Sequence, residues 1–321
     1  MKFLKVFWMG VWSAVFGVKK MFTAKRRAAP PSQLVLKGRY AQMLAAARRG
    51  NVEAQVQLAA CYSEGDGVEQ DYTQAAHWYG EAARQGDARA QFSFGVCHAN
   101  GQGLAQDYEE AVHWFRLSAA QGNVGAQVSL GLCLQKGLGA FPSPEEAVQW
   151  FRQAAQAGDP AGQVSLASCL QAGRGTVKNE VEAVEWFRKA AACGLGEAEY
   201  NLGKCYQDGL GVPVDAAEAF KYFRLTADKG LPQAEFELAL CLQYGRGTEV
   251  NLTEAYTWMS LAARRAMPNA AEMRDDLKKE MSQQQIEEGD RHVATMAPSR
   301  PKAGLVTADL EDQIEAKFPA L

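Results

Sequence analysis

Residues 51–86 read NVEAQVQLAACYSEGDGVEQDYTQAAHWYGEAARQG, and this pattern returns five more times at intervals of 36 residues. The later copies begin at Asp87, Asn123, Asp159, Leu195 and Leu231. One column of the repeat is aromatic, with Trp78, Trp114, Trp150, Trp186, Tyr222 and Trp258. Another column is cysteine, with Cys61, Cys97, Cys133, Cys169, Cys205 and Cys241. A fixed period without insertions or deletions predicts a solenoid of six equal units.

The first half of each copy has the signals of a short helix. Asn51 is a good N-cap residue, and its column continues with Asp87, Asn123 and Asp159. Gly65 and Gly67 follow the apolar positions, and their columns hold glycine in all six copies, which suits a left-handed C-cap and a tight turn. Prolines follow the N-cap column in three places, where we expect the first helical residue: Pro160, Pro232 and Pro268.

The second half of each copy has the signals of a second helix. Asp71 and Gln74 form a capping box, and close variants recur in every copy. The alanine columns that include Ala75 and Ala83 place small side chains where neighbouring helices would approach closely. We expect the tryptophan column to fill the remaining space between the helices. Each copy is therefore predicted to be a pair of antiparallel helices.

The internal pattern resembles the Sel-one-like repeat family, a relative of the tetratricopeptide repeat. The resemblance rests on the motif A-x-x-x-L-G-x-x-Y-x-x-G-x-G-V-x-x-D-x-x-x-A-x-x-W-x-x-x-A-A-x-x-G and covers about residues 37–296. The fifth copy departs at Tyr222, where the motif has tryptophan, and matches at Ala198, Leu202, Gly203, Tyr206, Gly209, Gly211, Val212, Asp215, Ala219, Ala227 and Gly230. The resemblance implies an all-α fold, a right-handed α-solenoid superhelix of 36-residue helix-turn-helix repeats, acting as an adaptor or scaffold.

The period divides the chain into five predicted segments. Residues 51–266 hold the six repeats, residues 32–50 an N-terminal capping helix and residues 267–296 C-terminal capping helices, because a solenoid needs a polar cap at each end. Residues 1–31 form an apolar and basic leader or membrane anchor, and residues 297–321 a linker and tail. The tail carries a four-residue apolar spacing that suits a short amphipathic helix.

Residues 6–18 are an apolar run without a charge, with Lys2 and Lys5 before it and Lys19 and Lys20 after it. Thirteen helical residues cover about 20 Å, less than the roughly 30 Å of a hydrocarbon core. Snorkelling lysines could extend the usable stretch to residues 3–22. Three interpretations remain open: a signal peptide, an interfacial or short spanning anchor, and a leader that packs on the first helix pair.

Charge is distributed unevenly along the chain. Residues 1–50 hold 11 of the 34 lysines and arginines and no acidic residue, which leaves 23 basic and 37 acidic residues in the remainder. A basic head on an acidic body suits an anionic membrane surface and argues against nucleic-acid binding by the repeats. We expect a cytoplasmic repeat domain tethered to the inner membrane through residues 3–22; the alternative is an exported or periplasmic protein.

The sequence carries no recognisable catalytic, metal or cofactor motif. Equivalent helices of neighbouring repeats should lie about 10 Å apart, too far for the six column cysteines to form disulfides along the solenoid. Free thiols suit a reducing compartment. We therefore expect a non-enzymatic protein without cofactor, metal or small-molecule substrate. The alternative class is a weak enzyme linked to the bacterial cell envelope.

A partner segment is the ligand that the repeat suits best. In tetratricopeptide-like stacks the first helices line the concave face, which would place one apolar column there: Val56, Phe92, Val128, Val164, Tyr200 and Phe236. A parallel column ends in four glutamines: Gln135, Gln171, Gln207 and Gln243. Apolar pockets and amide groups together suit a protein or peptide segment. The alternative is that the apolar column only packs neighbouring repeats together.

Overall fold

The computed structural model describes residues 33–296, with side chains from residue 40. The predicted leader over residues 1–31 and the predicted tail over residues 297–321 lie outside the described residues. The described range contains fifteen helices and no strand. None of these helices has the length and apolar character needed to cross a bilayer. The predicted all-α fold of helical hairpins is confirmed, while the handedness of a superhelix stays a prediction.

The described residues fall into two compact units. The first unit, residues 33–178, holds α1 Gln33–Arg48, α2 Val52–Glu64, α3 Tyr72–Arg84, α4 Ala88–Asn100, α5 Tyr108–Ala120, α6 Val124–Lys136, α7 Pro144–Gln156 and α8 Pro160–Ala172. The second unit, residues 179–296, holds α9 Glu180–Ala192, α10 Gly196–Asp208, α11 Ala216–Asp228, α12 Pro232–Tyr244, α13 Leu252–Arg264, α14 Ala270–Lys278 and α15 Gln283–Met296. The first helices of the repeats are α2, α4, α6, α8, α10 and α12.

Side-chain caps fix where most of these helices begin. Asn51 Oδ1 accepts a hydrogen bond from the backbone N–H of Ala54 at 2.8 Å, and the same cap is made by Asp87, Asn123 and Asp159. Asp71 Oδ1 accepts from the N–H groups of Thr73 and Gln74 at the start of α3. Each of these bonds satisfies a backbone donor that has no partner within the helix. The repeated boundaries therefore follow directly from the repeated cap residues.

Two predicted cap features are wrong. Ser143 makes no side-chain capping bond, and α7 begins instead with Pro144, whose missing N–H removes one of the donors that a cap would satisfy. Pro268 is not the first residue of a helix, because α14 begins at Ala270 after Asn269 in the left-handed conformation with φ 63°. The strict 36-residue period ends at this point, so a proline in this column no longer marks the first residue of a helix.

The fully buried aromatic column lies one residue after the tryptophans. Phe115, Phe151, Phe187 and Phe223 are all 0% exposed. In contrast, only Trp78 and Trp258 of the tryptophan column are buried, and the other three tryptophans are partly exposed. The indole N–H of Trp150 donates to Glu146 at 3.3 Å, one turn earlier on α7. The expectation that the tryptophan column fills the core is therefore corrected: neighbouring helical positions point about 100° apart, and the phenylalanines take the inward one.

In four of the six repeats, a polar residue of the first helix pairs with the residue that ends the second helix. In the first unit the pairs are amides, with Gln85 Nε2 donating to Gln55 Oε1 at 2.7 Å and Gln121 Nε2 to Gln91 Oε1 at 2.8 Å. In the second unit the same positions carry charges, Lys229 with Glu199 at 2.6 Å and Arg265 with Glu235 at 3.4 Å. The four acceptor residues are all buried. Each pair satisfies a polar side chain that packing has removed from water.

Candidate functional site

In the described part of the chain, the side chains that could bind a metal ion or act in catalysis are dispersed. Between residues 33 and 296, no group of three or more histidine, cysteine, aspartate or glutamate side chains could hold a metal ion. Cys97 and Cys133 are buried free thiols, and burial raises the pKa of each to about 12. A thiol with such a pKa stays protonated at neutral pH, and the thiolate is the nucleophilic form. These cysteines therefore act as small apolar core residues.

The aromatic members of the predicted binding column lie between neighbouring helices and remain partly exposed. Phe92 packs on Phe115 with ring centroids 6.0 Å apart, and its ring lies against Gly125 of the following repeat, 3.1 Å from where a Cβ would stand. Tyr200 packs on Phe223 with centroids 5.9 Å apart, and Phe236 is partly exposed in α12. Burial raises the pKa of the Tyr200 hydroxyl. These rings pack within their unit and still present a surface.

Val128 and Val164 of that column do not present a surface. Val128 is 1% exposed and Val164 is 0% exposed. Both lie in helices that are buried along most of their length, α6 and α8, so their short side chains are covered where the larger rings of Phe92 and Tyr200 reach further out. Their role as contact residues for a partner stays a prediction, and both side chains are buried in this structure.

Members of the glutamine column make links between repeats. Gln135 Nε2 donates to Cys169 Sγ of the next repeat at 3.5 Å. Gln207 Nε2 donates to Glu237 Oε2 at 3.3 Å, and Gln207 Oε1 accepts from the ammonium group of Lys204. Gln171 and Gln243 occupy the equivalent last turns of α8 and α12. The amide oxygens of Gln135 and Gln243 are buried and accept no hydrogen bond from the described residues.

A second set of polar atoms on the first helices was not predicted. Ser129, Ser165 and Asn201 occupy one column, one position beyond the aromatic column, and all three are buried. The hydroxyls of both serines and the amide nitrogen of Asn201 make no hydrogen bond within the described residues. The equivalent residue in the first repeat, Gln57, is exposed. The sequence signal was present, because this column changes from a long polar side chain to serine in the middle repeats.

Glu197 in α10 has the most unusual environment of the charged residues on the first helices. Both of its carboxylate oxygens are buried and lack a hydrogen-bond partner among residues 33–296, although the residue as a whole is only partly buried. Burial raises the pKa of this carboxyl to about 8, because the ionised form would lose its hydration without gaining a partner. Gln233, at the same position of the next repeat, also has a buried amide oxygen without a partner. Buried polar atoms that the fold leaves unsatisfied thus concentrate on the first helices.

Comparison with known families settles what these repeats are. The family model described as Sel1 repeat matches six consecutive segments, residues 52–87, 88–123, 124–159, 160–195, 196–231 and 232–266. The chain belongs to the Sel1 repeat family. The resemblance to the Sel-one-like repeats is therefore confirmed, and the segments agree with the 36-residue period. No curated protein matches the chain.

Solved Sel1 repeat structures are similar to this chain. A Sel1 repeat protein from Oxalobacter formigenes is 30% identical with a TM-score of 0.63, over 73% of this chain and 97% of that chain. A putative Sel1 repeat protein from Klebsiella pneumoniae is 25% identical with a TM-score of 0.43, over 63% of this chain and 99% of that chain. The protective antigen c5321 of uropathogenic Escherichia coli, described as displaying an SLR fold, is 23% identical with a TM-score of 0.43, over 88% and 82% of the two chains.

Membership assigns a general role to the repeats. Sel1 repeats mediate interactions between proteins, and scaffolds built from them are generally non-enzymatic. The partner is therefore expected to be a protein.

Proposed function

We propose that this Sel1 repeat protein is a non-enzymatic scaffold that binds a segment of a protein partner along its first helices. One observation carries the proposal: Phe92, Tyr200 and Phe236 occupy the same position of three repeats and stay partly exposed. A core residue would be covered completely, as Phe115 and Phe223 are. Large aromatic side chains that are half in the core and half in solvent are typical anchors of protein interfaces.

Polar groups on the first helices support a peptide ligand. The buried amide oxygens of Gln135 and Gln243 are acceptors without a partner in the described residues. The main chain of an extended partner offers N–H donors that could satisfy them. Aromatic anchors would supply most of the affinity, and the amides would fix the register of the segment.

The test is quantitative capture of partners from the cells that make the protein, with immobilised full-length chain. Tyr200→Ala should reduce capture of the specific partner about thirtyfold, on the order of 2 kcal/mol, because it removes an aromatic anchor. Tyr200→Phe keeps the ring and should capture as the wild type does. The melting midpoint of each variant is measured in parallel, so that loss of binding is separated from loss of folding.

Leu225→Ala provides the matched control, because Leu225 lies on the second helix α11 and is 45% exposed. Capture that survives Tyr200→Ala but is lost with Leu225→Ala would move the binding surface to the second helices and refute the proposal. Capture that none of the substitutions affects would refute it as well.

We also propose that residues 3–22 hold the protein at a membrane with the repeats on the cytoplasmic side. The support is the sequence, an apolar run flanked by lysines, since positive charge is retained on the cytoplasmic side. Cells expressing the full chain are fractionated and the chain is located by immunoblotting. Recovery in the membrane fraction, and its loss when Val11 and Val15 are both changed to Asp, is expected. A shortened form in an exported fraction would show instead that the leader is a signal peptide.

A further inference from the structure

The two most exposed large apolar side chains of residues 40–296 lie in consecutive repeats of the first unit. Phe141 is 95% exposed and Val177 is 86% exposed. Each lies in the turn that follows the first helix of its repeat, and the two share one column of the repeat. Single apolar side chains on a surface are ordinary, but two at the same position of consecutive repeats form a row. Neither side chain contributes to the core of the fold.

The charge of these turns changes along the first unit in parallel with the apolar exposure. The four turns of the unit are residues 64–70, 100–106, 136–142 and 172–178. Their formal charges are −3, 0, +1 and +2, from three acidic side chains in the first turn to Arg174 and Lys178 in the fourth. The column of Phe141 and Val177 holds Glu69 in the first turn. We call residues 136–142 and 172–178 the basic turns.

The third turn has a fixed backbone that presents its apolar side chain to solvent. The N–H of Ser143 donates to Leu134 O at 2.9 Å, which ties the end of the turn back to α6. Pro142 lies over Gly137, where an added Cβ would stand 2.8 Å from the proline Cγ. With the turn held in this way, the ring of Phe141 points away from the helices and is almost fully exposed.

A flat apolar layer is the partner that this geometry fits. Because Phe141 and Val177 occupy the same position of two stacked repeats, they protrude to a similar depth, about 10 Å apart. A protein partner would need a separate pocket for each protruding side chain. The interface of a bilayer takes up apolar side chains without a preformed pocket, and it binds them more strongly when basic residues face anionic lipids.

We propose that the basic turns insert Phe141 and Val177 into the interface of a bilayer that contains anionic lipids. Lys136 and Lys178 are both exposed in these turns and lie at the level of the headgroups. The nearest acidic side chain after the third turn, Glu145, is also exposed, and the three basic residues of the two turns outweigh it. This contact is separate from the proposed anchor and from the proposed peptide surface, and it needs neither of them.

The direct test places a photoreactive residue at the tip of the third turn. Phe141 is replaced by p-benzoylphenylalanine in the full chain, which is mixed with vesicles of phosphatidylcholine and roughly 30% phosphatidylserine. Vesicle-bound chain is isolated by flotation and irradiated, and lipid adducts on the peptide with residue 141 are quantified by mass spectrometry. The matched control carries the same group in place of Glu69. Adducts at residue 141 should exceed those at residue 69 at least about tenfold, because only the basic turn enters the interface.

The outcomes of this test separate the new contact from the other proposals. Equal adduct yields at the two positions, or a chain that does not float, would overturn the inference. Vesicle-bound chain without adducts at residue 141 would also overturn it and would leave residues 3–22 as the membrane contact. Crosslinks from residue 141 to a second copy of the chain, in place of lipid, would assign the basic turns to a protein interface instead. No protein partner is present, so failure leaves the capture test with Tyr200→Ala untouched.

A second test asks whether the basic side chains act at this contact. Lys136→Gln with Lys178→Gln should lower the lipid adducts at residue 141 at least about tenfold on the anionic vesicles, since each lysine near the surface contributes about fivefold. Arg84→Gln with Arg89→Gln removes the same charge from exposed positions outside the turns and should leave the adducts as they are. Melting midpoints confirm that all variants fold. Equal losses in the two double variants would show general charge attraction and would overturn the inference.

Discussion

A Cβ added at Gly103 would stand 2.0 Å from the carbonyl oxygen of Tyr72. The loop after α4 therefore presses its backbone onto the first turn of α3 in the preceding repeat. The contact recurs one repeat later, where a Cβ on Gly139 would stand 2.0 Å from Tyr108 O. Gly103 also has φ +76°, a conformation that side chains rarely adopt. At Gly103 and Gly139, glycine is thus required both for its backbone conformation and for the close approach to the preceding repeat.

Gly103→Ala should destabilise the protein more than backbone strain alone explains. Strain in the left-handed region costs roughly 1–2 kcal/mol, and the clash with Tyr72 should bring the total to about 3 kcal/mol or more. The measurement is the free energy of unfolding from urea denaturation.

Gly86→Ala is the matched control for this contact. Gly86 has φ +93°, and nothing lies within 4 Å of an added Cβ. It should show the strain without the clash, at about 1 kcal/mol. Equal losses for the two variants would mean that the contact between the repeats contributes nothing.

Phe151→Ala and Trp150→Ala should show which of the two aromatic columns contributes more to the unfolding free energy. Phe151 is fully buried, so its removal should cost about 3–5 kcal/mol of unfolding free energy. Trp150 is partly exposed, and its N–H bond to Glu146 lies near the surface, so its loss should be clearly smaller. Urea denaturation of both variants gives the comparison. A larger loss for Trp150→Ala would restore the tryptophans as the main core residues.

Repetition made the fold predictable, because caps and glycines that act locally mark the same helix boundaries in most of the six copies. It was harder to infer from the sequence which column of side chains faces the core. Trp150 and Phe151 are adjacent and both apolar, so the period alone does not decide which of them faces the core. The neighbouring helices decide it, since Gly131 of α6 leaves room for the ring of Phe151.

The candidate site was less predictable than the fold, because exposure depends on what lies across from a column. Val128 and Phe92 share a column, yet one is covered and the other is partly exposed. The polar pairs could have been found from the sequence alone. Gln91 with Gln121 becomes Glu199 with Lys229 at the same spacing of 30 residues, a change of both partners together that indicates contact.

Stability should fall as the pH rises from about 5 to about 8 because of Glu197. Its pKa is raised from 4.5 to about 8 in the folded chain, so over this window the folded state holds a proton that the unfolded state has lost. The folded state is therefore favoured at the acidic end, and the slope contributed is at most about 1.4 kcal/mol per pH unit. Glu197→Gln cannot ionise and should remove this contribution from the pH profile of the unfolding free energy.

Glu53→Gln tests whether this slope belongs to Glu197. Glu53 is the equivalent residue of the first repeat, and its bond to Arg89 lowers the pKa of its carboxyl. It is ionised in both states above about pH 5, so its substitution should leave the slope between pH 5 and 8 as in the wild type. A wild-type slope in Glu197→Gln would show that this carboxyl is hydrated or paired in solution.

Glu199 and Lys229 should stabilise the fold as a pair, so that replacing both costs less unfolding free energy than replacing Lys229 alone. Glu199 is buried and accepts from Lys229 Nζ at 2.6 Å, while Lys229 Nζ also donates to the carbonyl of Gly194 at 3.2 Å. Lys229→Gln leaves a buried carboxylate without its cation, and a loss of about 2–3 kcal/mol is expected. Glu199→Gln keeps a buried acceptor beside a partly exposed ammonium group and should cost less. Both losses are measured by urea denaturation.

The double variant Glu199→Gln with Lys229→Gln recreates the amide pair that Gln91 and Gln121 form in the second repeat. Because that pair is satisfied at 2.8 Å in the same place of the fold, the double variant should lie within about 1 kcal/mol of the wild type. Its loss should therefore be smaller than that of Lys229→Gln alone. Simple addition of the two single losses would instead mean that the residues contribute independently and that the pair is not a unit of the repeat.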